Sequence, residues 1–410
     1  MAAGAFPRFW AAATISSFGS AVSGVALPVL LVQVLDASAT EVGLVNAAQF
    51  VPYAVLGLIA GVYVDRWRRR PVLVVTSLGR AFCLALIPLL WLAGGLHAWS
   101  LALLLIGFGA FSVFGFAASQ SILPSLVPRS ELVRANARLD QSDTAAQTAG
   151  PLVGGGLVGL FGAPIAIAVD AASYVVDAFL NAGLRVDEAR SVDAKRPRLV
   201  AQLREGFGWT YRHATLGPLA VSTHVWFLAS SASGTVLSLI ALRTLGLSPL
   251  VFSLLIAGGG VTGLLGASLA PAVGRRLGPG PTIIGARLLY AVTWLIVALT
   301  MGTPAAVPAL FVALALHGLA AGIENSNEMG YWQALTPDRL LGRVNGTRRS
   351  INRTVAVLGS ALGGVCLTLI GDRGTLLGIV AVFAVATAIV ALSPLRLQGR
   401  RWDPEAPSEA

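Results

Sequence analysis

Along this chain, apolar residues come in unbroken stretches of spanning length, not in the alternation of a half-buried strand or the single stripe of a surface helix. The stretches fall at about 10–35, 41–64, 71–93, 99–127, 139–161 and 164–184. After a polar interval they resume at about 217–242, 248–273, 281–301, 305–335, 350–370 and 374–395. About 20 helical residues cross a bilayer, and a backbone in hydrocarbon must satisfy its own hydrogen bonds. Each stretch is therefore read as a transmembrane helix, being too long and too uniformly apolar for a barrel strand. The first stretch exceeds the apolar core of a signal peptide and further spans follow it, so it reads as an uncleaved first helix. The pattern predicts an all-α membrane protein with twelve transmembrane helices.

Composition agrees. Of 410 residues 55% are hydrophobic and 12% charged, against roughly a quarter charged in soluble domains, which excludes a water-soluble enzyme and intrinsic disorder alike. Cys83 and Cys366 both lie in apolar runs, so neither a disulfide framework nor a thiol metal site is expected. No P-loop, HExxH or GxSxG stands in a catalytic setting, so no enzyme, cofactor or metal is expected.

The formal charge is +10, and 28 of the 29 basic residues are Arg, with Lys195 the single Lys. Their placement decides what that charge means. The even-numbered loops hold Arg66, Arg68, Arg69 and Arg70, then Arg129, Arg134 and Arg138, then the central cluster from Arg185 to Arg212. Arg275 and Arg276, Arg339 to Arg353, and Arg396, Arg400 and Arg401 continue the series. With Arg8, 25 of the 29 fall on one side. The positive-inside rule makes that side cytoplasmic, with both termini, in the cytoplasmic (inner) membrane. A nucleic-acid protein would gather these residues on one soluble face, so the expected contact is membrane lipid.

The two halves repeat. "RANARLDQSDTAAQTAGPLVGGGLVGLFG" from Arg134 aligns without a gap on "RVNGTRRSINRTVAVLGSALGGVCLTLIG" from Arg343, an offset of 209 that also carries Pro128 to Pro337 and Gly57 to Gly266. A tandem duplication of a six-helix unit predicts parallel repeats about an axis along the membrane normal. The expected organisation is an N-terminal bundle at 1–184, a cytoplasmic linker at 185–216, a C-terminal bundle at 217–395 and a cytoplasmic tail at 396–410. The later part of the linker sets Leu199, Leu203, Phe207 and Trp209 among charges, the pattern of a short amphipathic helix at the membrane surface, serving as a hinge, a lipid contact or a plain connector.

Between the second and third spans the chain reads "GVYVDRWRRRPVL". Asp65 at the end of its span can face the positive N-terminal end of another helix; the neighbouring Arg residues equally serve as topological charges. In the fifth span "AGPLVGG" sets Gly150, Pro151, Gly154 and Gly155 at spacings that permit close helix packing and a kink. The loop segment resembles the GxxxDRxGRR signature of the major facilitator superfamily, matching at Gly61, Asp65, Arg66, Arg69 and Arg70 with Arg68 in place of Gly. The fifth-span segment is similar to the GPxxGG core of that superfamily's antiporter motif. Over nearly the whole chain, segments such as "FVPYAVLGLIAGVYVDRWRRRPVL" and "TPDRLLGRVNG" resemble the branch with the enterobactin exporter and macrolide efflux proteins.

The resemblance implies two six-helix bundles related by a pseudo-twofold axis. It also implies a conformational gate at Gly61, Asp65, Arg66, Arg69 and Arg70, and export of a small amphipathic molecule by proton antiport with alternating access. A monomer is expected. An importer or uncoupled facilitator of the same fold, or a membrane receptor or scaffold that transports nothing, is the alternative.

Ionisable groups within spans are expensive and usually face a cavity or a partner. The candidates are Arg80, Asp140, Asp143, Asp170, Asp177, His224, Arg287, His317, Glu324 and Glu328. Glu324 lies 11 residues before the span end at Leu335, about 16 Å deep, and Glu328 shares its face one turn on. Two carboxylates so placed repel each other's charge, which suits loading and release of a proton; attraction of a cationic substrate and plain hydrogen bonding between helices remain open. Asp143 and His224 are further candidates, Asp170 is a candidate relay, and Arg80 with Asp177 is expected to form a structural ion pair. His317 is expected to be a hydrogen-bonded structural histidine. Phe18, Phe50, Tyr53, Trp226, Phe227, Tyr331 and Trp332 lie on helices that the resemblance places along the cavity, as packing groups or as an apolar binding wall.

Overall fold

Runs of this length satisfy their backbone N–H and C=O groups only by coiling on themselves, and helix is what the computed structural model of the chain contains. It describes residues 5–64, 66–186 and 199–399, and among these there is no strand. In chain order the helices are α1 (Ala5–Val29), α2 (Ala39–Ala48), α3 (Val51–Val64), α4 (Arg69–Leu92), α5 (Ala98–Leu126), α6 (Leu132–Phe161) and α7 (Ala163–Ala182). They continue with α8 (Leu199–Arg212), α9 (Leu216–Leu239), α10 (Pro249–Leu277), α11 (Pro279–Thr300), α12 (Ala306–Leu335) and α13 (Asp338–Ala391).

Among the described residues nine helices are long and apolar enough to cross a membrane, and local chemistry turns nine into twelve. α13 is two spans joined end to end: its backbone leaves the helical region at Gly371, φ 69°, where a residue without Cβ carries no steric penalty. The second span is divided into α2 and α3 around Gln49 and Phe50, with Pro52 in the first turn of α3, where its missing N–H does no harm. The fifth span, α6, opens on a polar half that carries Arg134, Arg138, Asp140 and Asp143. α8 is the amphipathic segment of the linker; linker residues 187–198 and tail residues 400–410 lie outside the described residues.

Contacts divide the chain into two compact units, one of Met1–Lys195 with Leu237–Ala257, the other of Arg196–Val236 with Gly258–Ala410. Leu237–Ala257, which sequence order assigns to the second bundle, thus groups with the first unit. In that unit α1 lies across α6 and α7, α4 lies across α5 and α7, and α2 and α3 pack on α5. A buried apolar cluster with Phe9, Val64, Leu73, Ile122, Leu126 and Leu184 sits at the end of the bundle that carries the even-numbered loops. In the second unit α11 packs on both α12 and α13, and α8 lies on α13. Its core of Leu216, Ile283, Trp332, Val344 and Leu395 occupies the corresponding end.

The duplication also reaches backbone detail that side-chain identities did not reveal. The first and seventh spans each finish in one π-helical turn, Leu30–Val34 and Ile240–Thr244, closed by Leu35 N–H to the Leu30 carbonyl at 2.9 Å and Leu245 N–H to the Ile240 carbonyl at 2.8 Å. Beyond each turn one residue has positive φ, Asp36 at 45° in the first copy and Gly246 at 60° in the second.

Candidate functional site: two buried polar clusters

In the first unit the polar groups form a ladder between two antiparallel helices. Ser16, Ser20 and Ser23 follow one another at helical spacing along one face of α1, and Asp177, Tyr174 and Asp170 do so along α7. Ser23 Oγ donates to Asp170 Oδ2 at 2.5 Å, and Ser173 Oγ lies 3.1 Å from Oδ1. Ser20 Oγ and the Tyr174 hydroxyl are 2.7 Å apart, and Ser16 meets Asp177. From α4, Ser77 donates to Asp177, Arg80 donates to Ser77 at 3.0 Å, and the Arg80 guanidinium stands 4.0 Å from Asp177 and 4.2 Å above the Tyr174 ring. The helices meet this closely because Gly19 faces α7; a Cβ there would overlap Ser173 and Asp170.

In the second unit the polar groups are charges of both signs. Arg287 of α11, 1% exposed, donates through Nε to Glu324 Oε1 at 2.7 Å and through Nη2 to Glu328 Oε2 at 3.0 Å. Its remaining donors reach Ser222 and, at 2.8 Å, Thr223 of α9. Arg348 of α13 donates to Glu328 Oε1 at 2.8 Å while lying 3.6 Å over the Trp332 ring, whose Nε1 donates to the same oxygen at 3.2 Å. Two carboxylates thus meet two guanidinium groups that are charged at any accessible pH, and the cluster is electrically neutral. Glu324 and Glu328 are therefore not simply two like charges confronting each other, as their spacing suggests; Arg287 lies between them.

His224 adjoins this cluster. Its Nδ1 lies 2.6 Å from Asn352 Oδ1 and its Nε2 lies 2.5 Å from the Tyr211 hydroxyl. An acceptor on one side and a hydroxyl on the other fit a neutral ring with its hydrogen on Nδ1. Asp143, by contrast, is exposed on α6 and hydrogen bonds to Gln147 at 2.6 Å; it joins neither cluster. His317 is a correction: it is packed among Tyr290, Trp294 and Phe383, and its buried Nδ1 has no hydrogen-bond partner.

The glycine motif sits where α6 crosses α1. A Cβ at Gly150 would overlap Ala21 and one at Gly154 would press on Val22, while Gly155 faces Ser253. The second copy repeats the device, Gly359 and Gly363 meeting the backbone of Leu228 and Ala232 on α9. In the loop motif, Gly61 lies in the last turn of α3 and Asp65 lies outside the described residues. Arg66 N–H closes a turn on the Tyr63 carbonyl at 3.0 Å, and Arg69 and Arg70 begin α4. Arg70 donates to the Ala182 carbonyl, a cation placed at the negative end of α7.

Sequence reasoning missed the serine face of α1, Ser173, Tyr174, Thr223, Asn352 and the inward role of Arg348, which chain position places among the topological charges. The i, i+4, i+7 spacing of Ser16, Ser20 and Ser23 was a readable signal. Arg348 carried none, standing next to Arg349 in a loop-end cluster of the same charge.

The family described as transmembrane secretion effectors matches residues 1–408. The multidrug efflux pump Tap of Mycobacterium tuberculosis (strain H37Rv) is 28% identical over 404 residues, spanning 93% of this chain and 91% of that protein. The MFS-type transporter YfiS of Bacillus subtilis is 26% identical over 88% of this chain and 86% of its own length. Among solved structures, the nucleoside transporter NupG superposes with a TM-score of 0.75 over 95% of this chain and 99% of its own, at 12% identity, a likeness of fold alone.

Proposed function

The chain belongs to the transmembrane secretion effector family of major facilitator transporters, and on that premise we propose that it exports a small amphipathic molecule by proton antiport. The observation that carries this reading is the quartet of Arg287, Glu324, Glu328 and Arg348. Burying four charges is not needed to hold apolar helices together, and apolar replacements of similar volume commonly stabilise such sites. A neutral cluster of exchangeable ion pairs is, however, what a charged or amphipathic ligand can enter by taking over one partner. The likeness to Tap supports the efflux direction, since that relative is named as a multidrug efflux pump.

In this reading the side of the membrane that holds the 25 basic residues is the cytoplasm, and Asp65 with Arg66, Arg69 and Arg70 forms the gate on that side. Cysteines introduced at His97 and Asp372 should then react with an impermeant reagent outside intact cells, and cysteines at Arg212 and Arg396 should not.

The transport test uses purified protein in liposomes with ethidium as the amphipathic cation. A pH gradient should drive ethidium against its concentration gradient, and collapsing the pH gradient should stop it. Ethidium movement that ignores the pH gradient would overturn the antiport assignment. The Glu324→Gln and Glu328→Gln variants should lower uphill ethidium transport, the first more than the second.

A further inference from the structure

Besides the quartet, the chain buries Asp170, an acid that the reading above leaves without a role. Asp170 is fully buried, at 0% exposure. Among the described residues Glu324 and Glu328 each face a guanidinium within 3.0 Å, Asp177 has Arg80 at 4.0 Å, and Asp140 and Asp143 are exposed. The side-chain groups that hydrogen bond to Asp170 are hydroxyls, those of Ser23 and Ser173. A buried carboxylate without a counter-charge is far costlier as an anion than as an acid, whereas hydroxyls serve either form, because each can donate to the anion or accept from the acid.

The surroundings contain little else that titrates. From α4 the charge that acts on Asp170 is Arg80, held at a distance over the Tyr174 ring; from α7 itself the ionisable groups are Tyr174 and Asp177. From α1 the facing groups are serines, the π-turn Leu30–Val34 holds no ionisable residue, and no ionisable group of α6 acts on it. Among the described residues no cation is paired with Asp170, so a change of charge there is offset only by Arg80 from a distance.

We infer that Asp170 is the carboxylate that carries the transported proton, cradled by Ser23 and Ser173 and served by the Ser20–Tyr174 hydroxyl pair. This rests on the antiport reading and names its coupling site. On loading, a proton from water forms an O–H bond on a carboxylate oxygen of Asp170. The neighbouring serine hydroxyl turns from donor to acceptor, and the local charge goes from −1 to zero. On release the O–H bond breaks, the proton returns to water and the serine donates again. Mechanical consequence follows from Gly19: α1 and α7 touch at Asp170 with no room for a methyl group, so a change of hydrogen-bond direction there is felt by α1. That helix is pressed on its other side by the glycine face of α6.

The test is infrared spectroscopy of the purified protein in lipid, which needs no substrate and so is independent of the ethidium assay. At mildly acidic pH the wild type should show the C=O band of a protonated, hydrogen-bonded carboxyl group, fading as the pH is raised. Asp170→Asn should abolish that band, and Glu324→Gln should leave it. Should Asp170→Asn fold poorly, Ser23→Ala with Ser173→Ala provides the second arm: without its donors the anion is disfavoured, and the band should persist to more alkaline pH. A band that survives Asp170→Asn, or whose pH midpoint ignores the double serine variant, would overturn the inference.

Discussion

In the first unit Asp170 is closed in by the hydroxyls of Ser23 and Ser173, whereas in the second unit Glu324, scarcely more exposed, is met by the Arg287 guanidinium at 2.7 Å. Both acids sit in apolar helices and both have every reason to avoid standing charged and alone. The first is surrounded by groups that can follow a proton on or off; the second is paired directly with a guanidinium. Neighbours, more than depth, therefore divide the labour between a group that titrates and a group that pairs. Depth and helix number favour Glu324 as the coupling acid, whereas from the hydroxyl-only contacts of Asp170 we infer that it holds that role.

Removing one member of the quartet should produce the largest effect. Arg287→Gln leaves Glu324 without its cation in a site 5% exposed, and breaking a buried pair typically costs about 3–5 kcal/mol. Thermal melting in detergent should fall sharply and expression with it. Arg287→Met combined with Glu324→Leu removes both charges, leaves Glu328 with Arg348, and should regain most of the loss. A double variant as unstable as Arg287→Gln would mean that the pair is not the unit of stability.

The contact between α1 and α7 is next in size. Gly19→Val forces a branched side chain against Ser173 and Asp170; overpacking of this kind costs about 1–3 kcal/mol. The melting temperature should fall, and proton-driven ethidium transport should fall further than stability alone accounts for, because the hydroxyl cradle opens. Gly24 has free space around it, and Gly24→Ala on the same helix should change neither.

Asp170→Asn should be milder still. Asn matches a protonated carboxyl in shape and can keep a hydrogen bond to each serine, so the change in stability should stay within about 1 kcal/mol. Glu324→Gln, which strips a charge from an ion pair, should cost more. If the order were reversed, Asp170 would have to be the ionised member of the two.

Much of the architecture is legible from the chain without any contact. Span positions follow from hydropathy alone, because a bilayer imposes one solution on the backbone, and the spacing of Gly150, Gly154 and Gly155 announces close helix packing without naming the partner helix. What stays hidden is partnership. Arg287 and Glu324 stand 37 positions apart with no shared motif, and Asp170 and Ser23 stand 147 apart; only packing brings them together. Span boundaries hide where the backbone bends, as at Gly371 within α13 and at Gln49 and Phe50 between α2 and α3. The hydrophobic signal runs straight through both.

The smallest expected effect lies outside the spans and gives the comparison a reference titration. His213, between α8 and α9, accepts the N–H groups of Thr215 and Leu216 on its Nδ1, each at 3.3 Å, at the start of α9. Burial pushes its imidazole below the ordinary histidine range. Its folded state therefore favours the neutral ring, and the stability it adds is present above the unfolded imidazole's range and is lost as the pH falls through it. Protonation would put a hydrogen where two donors point. A cap of this kind is worth about 0.5–1 kcal/mol, less here because the ring is only partly buried. The melting temperature should dip slightly on acidification in the wild type, and the dip should be absent in His213→Asn, whose side-chain oxygen accepts the same N–H groups without titrating in this range. The infrared band assigned to Asp170 should be identical in His213→Asn and wild type across that range. A band that moved with His213 would tie the buried acid to the membrane surface and dissolve the distinction between a cradle that titrates by itself and a charge held by its partner.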